Sequence, residues 1–127
     1  MKNYLLLMIL ALPLAFASCK KDEIKDTTYS FSYDLPGYEQ VSVHITIFEY
    51  NQSGEIMAQN PINIPSSGVY SKKFVANERS EKVKVYISMG SGTNAIYRWV
   101  QQVYYLKTEG DINIDIIGTT SLGINEP

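Results

Sequence analysis

The feature that most constrains the fold is a strict alternation of apolar and polar residues in two segments. Residues 41–47 read VSVHITI, so valine or isoleucine fills every odd position. Residues 82–89 read KVKVYISM, again with the apolar residues at odd positions and both lysines at even ones. Because successive side chains of a strand point to opposite faces of a sheet, this period predicts strands with one buried and one solvent-facing side.

Other segments rich in Val, Ile, Thr and Tyr are separated by turn residues and bring the prediction to about seven strands. They cover residues 28–34, 55–64, 69–76, 95–106 and 111–117. Turns are predicted at 51–54, where Gly54 can adopt the positive φ of a tight hairpin, and at 65–68. Pro61 cannot donate a ladder hydrogen bond, so its strand is expected at a sheet edge or with a bulge.

Beyond residue 27, no window of ten residues has a convincing helical period. The sequence therefore predicts an all-β fold: a single antiparallel β-sandwich of about seven strands, immunoglobulin-like or transthyretin-like, over residues 28–127. A chain of 127 residues is long enough for one domain with an ordinary core. Cys19 is the single cysteine, so apolar packing must hold this domain together without an internal disulfide.

Residues 1–18 have the composition of a secretory signal peptide. Lys2 is followed by an uncharged apolar run over residues 4–17 that contains Pro13. That run is shorter than the roughly 20 residues a helix needs to cross a bilayer. Small residues then precede Cys19 in the sequence Phe16-Ala17-Ser18-Cys19.

This tetrapeptide resembles the lipobox of bacterial lipoproteins, although Phe16 stands where the family usually has Leu. The resemblance implies that the Cys19 thiol receives a diacylglycerol and that its amine, freed by cleavage, is acylated as well. Two or three acyl chains hold a protein stably at a membrane, whereas one chain binds reversibly. An ordinary signal peptide and an uncut N-terminal anchor are the alternatives.

Residues 19–27 are predicted to be the lipidated cysteine and a charged tether. Lys21, Asp22 and Glu23 follow Cys19 closely, and this arrangement resembles the export signal of Bacteroidetes-type surface lipoproteins. The resemblance implies an outer-membrane protein displayed on the cell surface. The periplasmic face of the same membrane is the alternative location.

Charge and residue content argue against several classes of function. The formal net charge of −2 disfavours nucleic-acid binding, which uses basic patches. His44 is the only histidine and has no evident catalytic or metal-binding partner, so no enzyme activity and no cofactor are expected. Asp111, Asn113 and Asp115 begin like a calcium loop, but the spacing then departs from the EF-hand. A surface strand is favoured there, with a calcium site of another kind as the alternative.

The aromatic residues of the run 95–106 give the most suggestive binding pattern. Tyrosine and tryptophan rings stack on the apolar faces of sugars and are common in recognition surfaces. Nearby Arg98, Gln101 and Gln102 could donate hydrogen bonds to sugar hydroxyls. The predicted ligand-binding residues are Tyr97, Trp99, Tyr104 and Tyr105. The alternative is that these rings form core and cross-strand pairs, with Trp99 as a buried core residue.

These observations predict a non-catalytic module that is anchored in the outer membrane and binds a ligand, most plausibly a glycan. The alternative function is a structural or protein-interaction subunit of an outer-membrane complex. Such a subunit would pair through an exposed strand edge, and the strand that contains Pro61 is one candidate.

Overall fold

The computed structural model describes residues 26–38 and 41–127, and this part of the chain contains nine strands and one short 3-10 turn at Gly92–Asn94. The strands are β1 (Thr28–Asp34), β2 (Val43–Tyr50), β3 (Ile56–Asn63), β4 (Val69–Val75), β5 (Lys82–Met89), β6 (Ile96–Val100), β7 (Tyr104–Tyr105), β8 (Asp111–Ile117) and β9 (Leu122–Gly123). None of the helices in the described residues is long and apolar enough to span a membrane.

Two sheets pack face to face, which confirms the predicted all-β sandwich. The larger sheet has the order β3-β2-β5-β6-β9, and β7 pairs with β5 beyond the end of β6. The smaller sheet has the order β4-β1-β8. Its β1–β4 pair is antiparallel and its β1–β8 pair is parallel, so this sheet is mixed, whereas every pair in the larger sheet is antiparallel.

The predicted strand 41–47 is observed as Val43–Tyr50, and Val41 lies outside it with 40% of its surface exposed, whereas Thr28–Asp34 has the predicted bounds. Lys82–Met89 and Asp111–Ile117 form strands with the predicted bounds, and Gly54 takes a φ of 85° in the predicted hairpin turn. The segment with Pro61 is an edge strand, as expected, while the register shift in this pair lies between Glu49 and Tyr50. The predicted long run 95–106 is divided into β6 and β7.

The core lies between the facing sides of the two sheets and follows the two-residue period. The larger sheet contributes the odd-numbered residues of β2 and β5, and the smaller sheet contributes alternate residues of β1 and β8. Side chains that are at most 1% exposed include Tyr29, Phe31, Tyr33, Ile45, Ile47, Val83, Val85, Ile87, Ile114 and Ile116. Burial of each such side chain is worth about 1.5–3 kcal/mol, more than the ~0–1 kcal/mol of a surface ion pair such as Lys73–Asp111.

One buried carboxyl group, that of Glu49, links the two sheets. Its Oε2 accepts hydrogen bonds from the Tyr29 hydroxyl of β1 at 2.8 Å and the Asn60 amide of β3 at 3.0 Å. Its Oε1 accepts from the Asn77 backbone N–H at 2.7 Å and the Ser80 hydroxyl at 2.8 Å. Four donors compensate the carboxyl group for its lost hydration, so a side chain only 1% exposed is tolerated in the core.

Candidate aromatic binding face

The two outer faces of the sandwich differ in chemistry. On the smaller sheet the outer face is rich in short polar side chains, including a 2.5 Å hydrogen bond from the Ser32 hydroxyl to Asp115. On the larger sheet the outer face holds a group of contacting aromatic rings. This second face is the candidate functional site, because contiguous aromatic surface on the solvent side of a sheet is not needed for the core.

We define the aromatic cluster as Phe48, Tyr50, Tyr86, Tyr97 and Trp99. Its rings contact one another in sequence across β6, β5 and β2. The Tyr97 and Tyr86 rings lie 6.2 Å apart between centroids with an interplanar angle of 13°, and Tyr86 lies 4.8 Å from Trp99. Trp99 is 5.6 Å from Phe48, which is 6.4 Å from Tyr50. All four spacings lie within the range of favourable aromatic pairs.

Strand register brings these rings together. Tyr86 of β5 is directly opposite Trp99 of β6, and Ser88 is opposite Tyr97. Tyr86 also faces Thr46 of β2. Because Phe48 lies two residues beyond Thr46, it projects from the same face and reaches Trp99 diagonally.

The cluster is graded in exposure from one end to the other. Tyr97 is 52% exposed, Tyr86, Trp99 and Phe48 are half-buried, and Tyr50 is only 7% exposed. Tyr50 is covered because Lys84 Nζ lies 4.9 Å from its ring centroid and Glu126 accepts its hydroxyl hydrogen bond at 2.9 Å. The accessible rings are therefore those toward Tyr97.

Residues 122–126, here called the 122–126 segment, bound the cluster on one side. Gly123 pairs with Trp99, and the Asn125 carbonyl accepts a hydrogen bond from the Gln101 side chain at 2.9 Å. Glu126 Oε1 then reaches Lys84 Nζ of β5 at 3.2 Å, in addition to Tyr50 of β2. The segment thus runs from the edge of the sheet onto its outer face.

Two ionisable groups at this contact have shifted pKa values. Burial, followed by the hydrogen bond to Glu126, raises the pKa of Tyr50 to about 12. The hydrogen bond from Tyr50, followed by that from Lys84, lowers the pKa of Glu126. Both shifts favour the pairing of a neutral phenol with a charged carboxylate.

The structure separates the four residues that the sequence pattern grouped as ligand-binding. Tyr97 and Trp99 lie in the aromatic cluster, and Trp99 is half-buried on the outer face rather than in the core. Tyr104 is 9% exposed and belongs to the core, opposite Val83. Tyr105 is 70% exposed but lies opposite Lys82, toward the far end of β5.

Sequence reasoning did not identify Phe48, Tyr50 and Tyr86 as members of the cluster. The sequence did contain a signal, because Tyr86 occupies an even-numbered position of β5, like the outward-facing lysines. Phe48 likewise follows His44 and Thr46 at the even-numbered, outward positions of β2.

The polar side chains proposed as sugar ligands are partly engaged within the protein. Arg98 Nη1 donates to the Tyr97 carbonyl at 2.8 Å, and Gln101 donates to the Trp99 carbonyl at 3.2 Å. A second polar group lies on β2 and β3, where His44 Nδ1 and Asn63 Oδ1 are 2.6 Å apart and exposed. Thr46 lies two residues along β2 from His44, between this group and the rings.

No family model, curated protein or solved structure matched the chain. Cys19 and the tether residues Lys21, Asp22 and Glu23 lie outside the described residues. Their roles stay predictions from sequence.

The described residues contain no group of three or more His, Cys, Asp or Glu side chains able to hold a metal ion. Asp111, Asn113 and Asp115 lie on β8, where Asp111 and Asp115 accept hydrogen bonds from Thr28 and Ser32. The two carboxyl groups, of Asp111 and Asp115, are thus spaced along an extended strand with Asn113 between them, as the strand interpretation expects.

A groove of about 740 Å³ lies at the end of the sandwich where β1 begins. Tyr105 and Leu106 line it together with turn residues of both charges, including Glu78 and Arg79. Its walls come mainly from turns and strand ends, whereas the aromatic cluster is built on three paired strands. Rigid elements hold side chains in position better than turns do, so the cluster is the stronger candidate for recognition.

Proposed function

We propose that the protein is a lipid-anchored, non-catalytic binding module of the outer membrane whose aromatic cluster binds a glycan. The single observation that carries the binding proposal is the set of rings in contact across β6, β5 and β2, graded from the half-exposed Tyr97 to the covered Tyr50. Sugar rings have apolar C–H faces that stack on aromatic side chains, and their hydroxyls require polar neighbours. Thr46, His44 and Asn63 supply such neighbours beside the rings.

The test is binding of the full-length, detergent-solubilised protein to immobilised polysaccharides. Trp99→Ala removes the ring that contacts both Tyr86 and Phe48, and we expect it to reduce binding at least about tenfold, the effect of losing one well-packed recognition residue. Tyr97→Ala is the second variant, because a half-exposed ring can be removed with little effect on folding. Tyr105→Ala, an exposed tyrosine outside the cluster, is the matched control and should bind like the wild type.

Unfolding midpoints separate a binding defect from a folding defect. Loss of binding in Trp99→Ala and Tyr97→Ala, with Tyr97→Ala unfolding at the wild-type midpoint, supports the proposal. Wild-type binding in both variants, or equal loss in Tyr105→Ala, contradicts it. Co-purification of an outer-membrane protein that does not depend on Trp99, without any affinity for polysaccharide, would favour the interaction-subunit alternative.

The anchor is tested independently of the binding face. Cys19→Ala removes the thiol to which the diacylglycerol would be attached, so incorporation of labelled palmitate should be lost. Cys19→Ser is a closer steric control and should behave in the same way, because an oxygen replaces the sulfur. Label retained in either variant would contradict lipidation at Cys19. Protease treatment of intact cells would then distinguish the outer surface from the periplasmic face.

A further inference from the structure

Charge on the outer face of the larger sheet is confined to one end of the aromatic cluster. The outward positions of β2, β3, β5 and β6 hold two lysines, Lys82 and Lys84, and no acidic residue or arginine. Both lysines belong to the half of β5 near Tyr50. The positions around Tyr86, Trp99 and Tyr97 carry hydroxyl, amide, imidazole or aromatic groups.

Lys84 is not free to meet an anionic ligand. Its side chain is only 13% exposed, its ammonium lies over the Tyr50 ring, and Glu126 Oε1 is 3.2 Å away. A carboxylate or sulfate on a ligand would have to replace Glu126, which also holds the Tyr50 hydroxyl. The charge of Lys84 is therefore already neutralised within the protein.

From this distribution of charge we infer that the aromatic face takes a neutral polysaccharide, and that Glu126 excludes acidic ones by occupying Lys84. This inference rests on the proposed glycan-binding function and names its substrate class. Sugar hydroxyls match the hydroxyl, amide and imidazole groups beside the rings, which can donate and accept hydrogen bonds. Lys82, the other lysine of this face, lies opposite Tyr50 and Tyr105, beyond Lys84 and away from the accessible rings. An acidic chain on the rings around Tyr86 would therefore leave its charge without a cation beside it, at a cost in desolvation.

The experiment compares full-length protein on two sets of probes. The neutral set contains glucan, mannan, xylan and galactan, and the acidic set contains polygalacturonate and chondroitin sulfate. We expect Trp99-dependent binding to at least one neutral polysaccharide. That binding should change little between low salt and about 1 M salt, at which the Debye length is about 3 Å.

Glu126→Gln is the decisive variant. The amide oxygen can still accept the Tyr50 hydroxyl hydrogen bond, but the side chain no longer neutralises Lys84. We expect binding to polygalacturonate to rise about two- to fivefold at low salt and to fall back at high salt, as for a partly exposed ion pair. Glu55→Gln, which changes an exposed acidic residue in the hairpin turn after β2, is the matched control and should show no gain.

The outcomes distinguish this inference from the proposed function. Trp99-dependent, salt-sensitive binding of the wild type to acidic polysaccharides in preference to neutral ones would overturn the inference and leave glycan binding intact. An unchanged affinity of Glu126→Gln for polygalacturonate would overturn the role of Glu126. Absence of Trp99-dependent binding to any probe would overturn the proposed function itself.

Discussion

Single residues on the inner face of a strand are not interchangeable even where the period of two is kept. Glu49 takes the position after Ile45 and Ile47 at which the alternation of β2 calls for an apolar side chain. It is accommodated because donors from β1, β3 and the 77–80 turn converge on its two oxygens. Glu49 therefore joins the two sheets by hydrogen bonds, whereas the rest of their interface is apolar.

Replacement of Glu49 with Ala should lower the free energy of unfolding by about 3 kcal/mol, since several buried donors lose their acceptor at once. Urea denaturation followed by circular dichroism measures this change. Glu81→Ala, at an exposed position near the same turn, is the control and should stay within about 0.5 kcal/mol of the wild type. Equal effects of the two substitutions would show that the buried network adds no particular stability.

At the scale of elements, local pattern predicts a strand but not its partner. β1, β5 and β8 have the predicted bounds, because alternation of buried and exposed side chains marks a half-buried strand, while the strand predicted at 41–47 is shifted to Val43–Tyr50. The parallel pairing of β1 with β8 joins residues about 80 positions apart, and no local feature specifies it. β9 was not predicted, because two residues cannot display a period.

The same distinction applies to the candidate site. The sequence shows which face of its own strand a residue occupies, but not which residues of neighbouring strands lie beside it. The alternation of inward and outward positions along each strand places Tyr97, Trp99, Tyr86 and Phe48 on the outer face. The same alternation places Glu49 on the inner face. Contact among the rings depends on the register between β2, β5 and β6, which tertiary packing sets. The division of the run 95–106 into two strands likewise removes Tyr104 from the group and buries it in the core.

For the molecule as a whole, the asymmetry of the two outer faces relates fold to proposed function. The outer face of β4-β1-β8 is polar along its middle and exposes Val69, Val75 and Ile117 at its ends. The outer face of the larger sheet is aromatic, with the buried Tyr50 and the 122–126 segment at one end. Tyrosine hydroxyls occur both in the core and at this boundary. Ionisation of these hydroxyls at alkaline pH should therefore lower the stability of the whole domain.

Three tyrosines, Tyr29, Tyr50 and Tyr104, have pKa values raised first by burial, that of Tyr50 to about 12. An unfolded tyrosine ionises near about 10. The folded state thus keeps protons that the unfolded state loses. This stabilisation is complete below about pH 10 and is lost as the pH rises toward the pKa values of the folded state.

We expect the free energy of unfolding to fall above about pH 10. Tyrosinate absorbance should increase together with loss of near-ultraviolet dichroism. Tyr50→Phe should make the decline between about pH 10 and 12 less steep, whereas reversible ionisation of Tyr29, Tyr50 and Tyr104 near about pH 10 in the folded protein would contradict this account.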